Sequence, residues 1–468
     1  MARYHIKNAM VVTMDEKLGV LYDCDVLIEE GAIKAVGSKL DGSGAEVIDG
    51  SDCIVSPGFV DTHRHMWQTQ LAGLMSDHTL LEYFGHVRSV YGSCYTARDA
   101  YLGNYVGALQ CLDNGTTFII DHSHIMNSAN HSDSAVQGLL DSHIRGVFCY
   151  GFFINNVPVW REDDTGIQPP SDPDWRLADS KRVKDKFFAK NGPSEVLRFG
   201  IAPFELEVQP IEQAVREIEH ARSIEAATIT GHAALGKHDF GVQIVEKLKQ
   251  KNLLKSDMLF SHTAALTPSE YAAVKECDCG LAVTPDTELQ MAMGPPGAFK
   301  ARSHGVSRVG LGTDVSCSNP PDMFTQMRLL LQSERQTRSL LHENGPPREV
   351  PIKCKEVLEF ATIGGARAAG REKYIGSITP GKRADLIITS CKSTRMSPVS
   401  DPIAALVMYA NASDVDTVMV DGRILKRGGE LVGVDWLETR KELLASTKAI
   451  RERAKDAPFD AIMEHVYG

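Results

Sequence analysis

The sequence predicts an α/β protein: a (β/α)8 TIM barrel with a small β-sandwich domain that both chain termini form. Two observations lead to this expectation. Eight short apolar runs alternate with longer helical stretches, which is typical of repeated βα units and a parallel sheet. Both ends of the chain instead alternate apolar and polar residues, as strands with one solvated face do.

The eight apolar runs identify the barrel strands, because parallel strands buried on both faces are continuously apolar. The runs are CIVSPGFVDTHRH, GTTFIIDHSH, IRGVFCYGFF, EVLRFGIAPFE, AATITGHAAL, SDMLFSHTAA, GLAVTPDT and SRVGLGTDV. Their number and spacing fit a (β/α)8 barrel with insertions.

The strand-like segments at the two ends predict the second domain. YHIKNAMVVTM, DVLIEEGAIKAVG and AEVIDG begin the chain, and GSITPGKRADLIITS and VDTVMVDGRILKRGG follow the barrel. We therefore predict a composite β-sandwich domain of residues 1–56 and 378–435, a (β/α)8 barrel of residues 57–377, and a helical tail of residues 436–468.

Residues 160–195 follow the third strand and are too long and polar for an ordinary βα loop. Two interpretations remain open. The segment is either a lid over the barrel rim or a surface excursion with a helix of its own.

Composition limits the classes of partner. The chain has 468 residues and a net charge of −11, which argues against nucleic acid or an anionic membrane as a partner. No apolar run is long enough to span a bilayer, and the first residues do not form a signal peptide. We expect a cytoplasmic protein whose ten scattered cysteines are reduced thiols.

Polar side chains fall at the ends of most predicted barrel strands, where barrel enzymes collect their catalytic groups. They are His63, His65, Asp121, His122, His124, Glu205, His232, His262 and Asp314. Packing alone does not explain why residue types that commonly bind metals occur at the ends of so many strands.

His63 and His65 predict a metal site, because residues two apart in a strand face the same side. Together with His232 and Asp314 they offer three imidazoles and one carboxylate. This donor set suits zinc, or iron(II) in the same geometry. We expect one ion per chain.

Three segments resemble signatures of the amidohydrolase superfamily. PGFVDTHRHMWQTQL is similar to its first-strand motif, VGLGTDVSCSNPPDMFTQMRL to its eighth-strand motif, and ATIGGARAAGREKYIGSITPGKRADLII to its closing segment. The likeness covers about residues 9–427. It is greatest to the branch that holds atrazine chlorohydrolase and the guanine, cytosine and S-adenosylhomocysteine deaminases.

The resemblance implies a role for several residues. His63, His65, His232 and Asp314 would bind the metal, and Asp314 would also accept the proton of the attacking water. His262 would orient that water or polarise the substrate, and Gln68 would lie near the substrate. Relatives of this kind are usually dimers or larger, which implies a homodimer or homotetramer.

The chain departs from the deaminase pattern after the fifth strand. Deaminases of this branch carry His-x-x-Glu there, and the Glu transfers a proton to the leaving amine. Here the position three residues after His232 is Leu235, which carries no proton. Either another group supplies the proton, or the substrate needs little protonation, or the reaction is not a hydrolysis. Among candidate donors we favour Glu205; Glu207, His238 and Asp239 are the others.

The rim also suggests substrate contacts. His122 and His124 form a second HxH pair. They could bind substrate, hold a second metal or make structural hydrogen bonds. Apolar rim residues are typical of a pocket for a flat molecule, although they also occur in ordinary packing: Trp67, Tyr83, Phe84, Phe152, Phe153, Phe204, Met291 and Met293. We predict substrate contacts for Gln68, Trp67, His122, His124 and Phe204.

These observations favour a metal-dependent hydrolase. We expect a metal-activated water to attack a carbon–nitrogen or carbon–halogen bond, other than a peptide bond, of a small cyclic or aromatic molecule. Asp314, His262 and Glu205 are the predicted catalytic residues. The alternatives are a metal-dependent lyase or hydratase on the same scaffold and, third, a non-enzymatic barrel.

Overall fold

A computed structural model describes residues 3–167, 174–343 and 345–467. The strands are β1 (Tyr4–Val12), β2 (Val20–Glu29), β3 (Ala32–Gly37), β4 (Glu46–Asp49), β5 (Cys53–Pro57), β6 (Phe59–His65), β7 (Thr116–Ser123), β8 (Arg145–Gly151), β9 (Leu197–Ala202), β10 (Ile229–Ala233), β11 (Met258–His262), β12 (Gly280–Val283), β13 (Val309–Leu311), β14 (Asp314–Val315), β15 (Leu386–Ser390), β16 (Val415–Val420), β17 (Arg423–Arg427) and β18 (Glu430–Leu431).

Helices connect and flank these strands. They are α1 (Leu80–Tyr83), α2 (Ala97–Asp113), α3 (Ala129–Ser142), α4 (Trp175–Phe187), α5 (Ile211–Ser223), α6 (Ile244–Gln250), α7 (Pro268–Glu276), α8 (Pro285–Gln290), α9 (Ala298–Ser303), α10 (Met323–Leu340), α11 (Cys354–Glu359), α12 (Gly365–Ala368), α13 (Pro402–Ala404), α14 (Trp436–Ala454) and α15 (Phe459–Tyr467). Shorter helical turns lie at Met66–Leu71, Phe84–Arg88, Tyr91–Cys94, Gly236–His238, Phe360–Gly364, Ala405–Tyr409 and Ala412–Asp414. None of the helices in the described ranges is both long and apolar enough to cross a membrane.

Strands β6 to β13 form a closed parallel barrel in sequence order. Strand β13 closes the barrel, because its Leu311 pairs with Asp61 of β6. The short β14 follows β13 and also pairs with β6, with Asp314 opposite Arg64. Each of the eight predicted runs contains one of these strands, so the predicted barrel is confirmed.

Both chain ends build a second sheet, as predicted. Its nine strands pair in the order β18-β17-β16-β15-β5-β1-β2-β3, with β4 added beside β1. The chain passes from this sheet into the barrel at Gly58, between β5 and β6. A side chain at Gly58 would collide with Thr117, because a Cβ there would lie 2.2 Å from its side-chain atoms. The residue boundaries given above for the domains stay a prediction.

Helix α4 lies within the long segment after β8 and docks on the flank of the barrel. Asp179 of α4 accepts hydrogen bonds from Ser132 on α3 at 2.7 Å and from Tyr150 on β8 at 2.9 Å. This arrangement favours a surface excursion with its own helix. Residues 168–173 of the segment lie outside the described residues, so the lid interpretation stays a prediction.

A buried ion pair joins the barrel to the terminal sheet. Arg145, at the start of β8, donates to both oxygens of Asp385 at 2.6 and 3.2 Å and also to Asp421. The side chains of Arg145 and Asp385 are each 1% exposed. Removal of one partner from a buried pair leaves the other charge without compensation, which costs far more than the loss of a surface pair.

We therefore expect Arg145→Ala to lower the free energy of unfolding by about 3–5 kcal/mol. Urea denaturation followed by circular dichroism measures the change. Lys441→Ala is the matched control, because Lys441 pairs with Glu438 at the surface, and its effect should stay within about 0.5 kcal/mol. Equal effects of the two substitutions would contradict the structural role of the buried pair.

Candidate metal centre

The local structure of β6 and β14 brings three predicted ligands together. His63 and His65 point into the barrel from alternate positions of β6. The Oδ1 atom of Asp314 lies 3.2 Å from Nε2 of His63 and 3.2 Å from Nε2 of His65. All three side chains are buried.

A bend between β13 and β14 places Asp314. Asp61 accepts hydrogen bonds from the Thr313 backbone N–H and from its hydroxyl. Gly312 packs against His63, and a Cβ there would lie 2.7 Å from the His63 carbonyl oxygen. Asp314 then adopts a φ of 58° and His262 a φ of 72°. Left-handed backbone at non-glycine residues is strained and is typical of functional sites.

His232 completes a wider cluster of ligand atoms. Among the described residues, three groups bring such atoms within 4.8 Å of one another: His63 with His65 and Asp314, His63 with His122 and His232, and His65 with His124 and His232. His232 therefore lies beside both histidines of β6. The predicted ligands converge on one space, and His122 and His124 reach it too.

The ring hydrogen bonds leave ligand lone pairs facing this space. His65 donates its Nδ1 proton to the His122 carbonyl oxygen at 2.7 Å, and His232 donates its Nδ1 proton to Glu205 at 2.9 Å. In a neutral imidazole Nε2 then keeps its lone pair. Nδ1 of His63 lies 2.8 Å from the Ser261 hydroxyl, which can accept its proton.

The residues therefore fit a divalent metal ion. Nε2 of His63 and Oδ1 of Asp314 are buried and have no hydrogen-bond partner among the described residues. Buried polar atoms are normally satisfied, and a cation would satisfy both. Second partners on Nδ1, as His65 and His232 have, are also usual for metal-bound histidines.

Electrostatics favour the protonation states that metal ligands need. Burial lowers the pKa of His63 well below its usual value and lowers that of His65, against the opposing effect of Asp314. Burial would raise the pKa of Asp314, but His63, His65 and His262 outweigh it and hold that pKa well below its usual range. The cluster thus contains neutral imidazoles and a carboxylate.

His262 lies across the cluster between two acids. Its Nδ1 is 3.0 Å from the Thr284 hydroxyl and 3.6 Å from Oε1 of Glu288, and its Nε2 is 4.0 Å from Oδ2 of Asp314. Burial would lower the pKa of His262, but Glu288 and Asp314 outweigh burial and raise it. His262 can therefore donate a proton or a hydrogen bond towards the cluster.

The cavity beside the cluster is almost closed. It has a free volume of about 20 Å³, room for about one water molecule. Its walls are His65, Leu80, Tyr83, Phe84, His124, Glu205, His232, Leu235, His262, Thr287, Met291, Asp314 and Val315. A substrate larger than water can enter only when some of these apolar side chains move.

Sequence comparison settles the family. The model of the amidohydrolase family matches residues 54–425. The chain belongs to the amidohydrolase family. This membership makes it an amidohydrolase-type hydrolase, the class that acts on carbon–nitrogen bonds other than peptide bonds.

Similar proteins include several deaminases. The chain is 28% identical to a 5'-deoxyadenosine deaminase of Methanosarcina mazei over 440 residues, which are 93% of this chain and 95% of that protein. It is 29% identical to a 5-methylthioadenosine/S-adenosylhomocysteine deaminase of Moorella thermoacetica over 398 residues, 83% and 85% of the two chains.

Solved structures share the fold. A zinc-bound adenosine deaminase of Xanthomonas campestris has a TM-score of 0.81 and 20% identity, with 97% of this chain and 99% of that chain covered. The zinc complex of atrazine chlorohydrolase from Arthrobacter aurescens also has a TM-score of 0.81 and 20% identity, with 95% and 100% covered.

In this amidohydrolase the position of the missing deaminase Glu faces the cavity. Leu235 is buried and lines the wall beside His232. Glu205 also lines the cavity, and its pKa is lowered, because His232 and Arg88 outweigh the effect of burial. Glu205 is bound to a predicted ligand, so the structure gives it a positioning contact; the proton-relay role stays a prediction.

The other candidate proton donors of this amidohydrolase lie off the cavity wall. Glu207 accepts a hydrogen bond from the Ala234 backbone N–H at 2.6 Å, and burial raises its pKa to about 7. Nε2 of His238 lies 3.1 Å from the Met291 carbonyl oxygen. Asp239 accepts from the Gly241 backbone N–H at 3.1 Å.

The predicted substrate contacts separate into two groups. Of the five, only His124 lines the cavity. Gln68 donates to the hydroxyl of Tyr83 at 2.7 Å, and Trp67 donates to Nδ1 of His124 at 3.3 Å, so both lie one layer behind the wall. Phe204 lines a different cavity of about 490 Å³. Substrate binding by these residues stays a prediction.

His122, the other histidine of the second HxH pair, is also buried. Both of its ring nitrogens are buried without a hydrogen-bond partner among the described residues, and its ring stacks on His232 with centroids 4.5 Å apart. Burial lowers the pKa of His122 and of His124 well below the usual value. Both rings are therefore neutral.

Sequence reasoning missed the groups that support the cluster. They are Ser261 beside His63, Thr284 and Glu288 beside His262, and Arg88, whose charge helps to lower the pKa of Glu205. Glu288 is fully buried. Its place four residues after Thr284, at the start of α8, was the one available signal, because a capping acid and a site acid look alike in sequence.

We expect Glu205→Gln to weaken metal affinity by about 10- to 100-fold, because the carboxylate that orients the His232 ring is lost. Competition with a zinc-binding dye measures the affinity of the purified protein. Glu207→Gln is the matched control, since Glu207 contacts backbone and not an imidazole. Unchanged affinity in Glu205→Gln would contradict the positioning contact.

Proposed function

We propose that this amidohydrolase hydrolyses the bond between a ring carbon and an exocyclic amino group of a small nitrogen heterocycle. The convergence of His63, His65 and Asp314 on one space, with His232 beside them, is the observation that carries the proposal. A donor set of imidazoles and one carboxylate, largely shielded from solvent, is suited to a metal that activates water.

The metal would be held by His63, His65, His232 and Asp314. When bound, a divalent ion would acidify water to a pKa near 7 and polarise the reacting bond. Oδ1 of Asp314 faces the two histidines of β6, whereas Oδ2 faces His262. We propose that Asp314 accepts the proton of the attacking water through Oδ2.

His262 is placed to stabilise the charge that develops on the substrate. Its Nδ1 is held by Thr284 near Glu288, so its Nε2 is directed at the same space as Asp314. A fixed donor in a dry cavity stabilises developing charge far more than the same donor in water. The apolar side chains of Leu80, Leu235 and Met291 in the wall limit the access of bulk water to this donor.

The relatives support an amino-substituted purine as the substrate class. Those reported above are named for deamination of 5'-deoxyadenosine, 5-methylthioadenosine and S-adenosylhomocysteine. The amino group leaves as ammonia only after its nitrogen has been protonated. A positioned acid typically raises the rate of such a step by about 10²- to 10⁴-fold. With Leu235 in place of the usual acid, Glu205 on the cavity wall is the proposed relay. Its carboxylate would take up the proton that Asp314 accepts from water and pass it to the leaving amino nitrogen.

A second candidate function is displacement of a halide. Leu235 favours it, because a halide leaves without being protonated and an apolar residue at this position of the wall then does not lower the rate. A lyase or hydratase reaction on the same centre has no observation of its own in favour. Zinc as the metal, a cytoplasmic location and a homo-oligomeric assembly complete the proposal.

A matched pair of compounds separates the two candidates. We expect zinc-loaded protein to release ammonia from 5'-deoxyadenosine, and the release is measured with glutamate dehydrogenase. The 6-chloropurine analogue tests chloride release with an ion-selective electrode. Chloride release alone would favour the second candidate, and release of neither would contradict both.

Asp314→Asn should reduce turnover by at least about 10³-fold, since it removes both a ligand and the proton acceptor. Metal content by plasma emission spectrometry accompanies the rate measurement. Lys441→Ala, remote from the cavity, is the control. Full activity in Asp314→Asn would exclude the proposed mechanism.

A further inference from the structure

We infer that His124 presents a fixed Nε2–H donor to the cavity, where it recognises a hydrogen-bond acceptor of the substrate, and that it neither binds the metal nor transfers a proton. Trp67 is the positioning residue that sets this state. The acceptor would be a ring nitrogen or a carbonyl oxygen beside the reacting carbon. The choice of substrate class rests on the proposed function, whereas the state of His124 does not.

The hydrogen bond between Trp67 and His124 decides which nitrogen carries the proton. Nε1 of Trp67 lies 3.3 Å from Nδ1 of His124. An indole N–H can only donate, so Nδ1 of His124 must accept with its lone pair. A neutral imidazole has one ring proton, which is therefore on Nε2.

This state is the reverse of that in two neighbouring histidines. His65 and His232 donate from Nδ1 to a carbonyl oxygen and a carboxylate, so each keeps a lone pair on Nε2. His124 has a ligand atom within 4.8 Å of theirs. It cannot offer that atom as a neutral ligand, because Nε2 holds the proton and Nδ1 is engaged by Trp67.

The ring has little freedom to escape this arrangement. It stacks on His65 with centroids 4.3 Å apart and meets the edge of Phe153 at 4.2 Å. The side chain of Asn155 donates to the His124 carbonyl oxygen at 3.0 Å and so fixes the backbone. The ring is therefore held on a face, on an edge and at Nδ1.

Nε2 of His124 lacks an acceptor. It is buried and has no hydrogen-bond partner among the described residues, and His124 lines the cavity. A buried donor without an acceptor costs free energy, which a substrate acceptor would recover. A site built in this way rejects analogues that lack the acceptor.

His124 cannot supply a proton to the leaving group, because no neighbouring group in the described part of the chain would replace the ring proton that it loses. Loss of the Nε2 proton to a leaving group would leave an imidazolate, because Trp67 keeps its own proton and cannot replace the lost one. His124 therefore holds the acceptor, and the proton for the leaving group comes from another residue.

Metal content and NMR test the state of His124 without any substrate. We expect zinc content near the wild-type value in His124→Gln, His124→Phe and Trp67→Phe, whereas His232→Ala loses zinc.

The NMR measurement uses ¹⁵N-histidine-labelled, zinc-loaded protein, in which the resonance that disappears in His124→Gln is assigned to His124. This resonance should have the pattern of an imidazole protonated at Nε2. Trp67→Phe should lose that single pattern, and Tyr95→Phe, which alters a ring packed on Trp67, should keep it. An Nδ1–H pattern, or zinc loss in both His124 variants, would overturn the inference.

Deaza analogues test the recognition. Wild-type protein should have a kcat/KM about 10- to 100-fold higher for 5'-deoxyadenosine than for one of its 1-, 3- or 7-deaza analogues. Calorimetric affinity replaces kcat/KM if none of these compounds is turned over. His124→Phe should lose this discrimination, and His124→Gln, which keeps an N–H donor, should retain part of it. Undiminished discrimination in His124→Phe would overturn the recognition. If no ammonia or halide is released from any compound, the proposed function fails, while the NMR and zinc results still decide the state of His124.

Discussion

The close approach of Asp314 to His63 and His65 is the contact on which the rest of the site depends. It joins the first and last positions of the barrel, because β14 carries the carboxylate and β6 carries both imidazoles. Burial of a carboxylate beside two neutral rings is expensive unless a cation compensates. The left-handed backbone at Asp314 and the bend held by Asp61 and Thr313 are the local features that place this carboxylate beside the two rings.

The surrounding histidines are chemically identical side chains that differ in the hydrogen-bond partner of Nδ1. Acceptors on Nδ1 of His65 and His232 free a lone pair, whereas the Trp67 donor on Nδ1 of His124 frees a proton. The same side chain thus becomes a candidate ligand or a candidate donor according to the residue behind it. The hydrogen-bond partner on Nδ1 decides whether each ring offers a lone pair or a proton at Nε2.

The wall over the cavity connects the site to the C-terminal tail. Leu80, Tyr83 and Phe84 close the cavity, and the turn that follows them packs on α15, where His86 stacks on Phe459 with centroids 4.8 Å apart. Gly85 packs directly against Met463. The free volume admits about one water, so the wall that would have to open for a larger molecule is packed against α15.

The sequence by itself determined the barrel, the second sheet and the convergence of His63, His65 and Asp314, because strand periodicity and strand ends are local properties that parallel topology brings to one rim. It did not determine that Glu205 would bind His232, that Phe204 would line another cavity, or that Trp67 would act through His124. Those contacts join residues 27 and 57 positions apart in the chain. Only the tertiary structure decides such pairs, since a hydrogen bond depends on ångström-scale distances that no local pattern encodes.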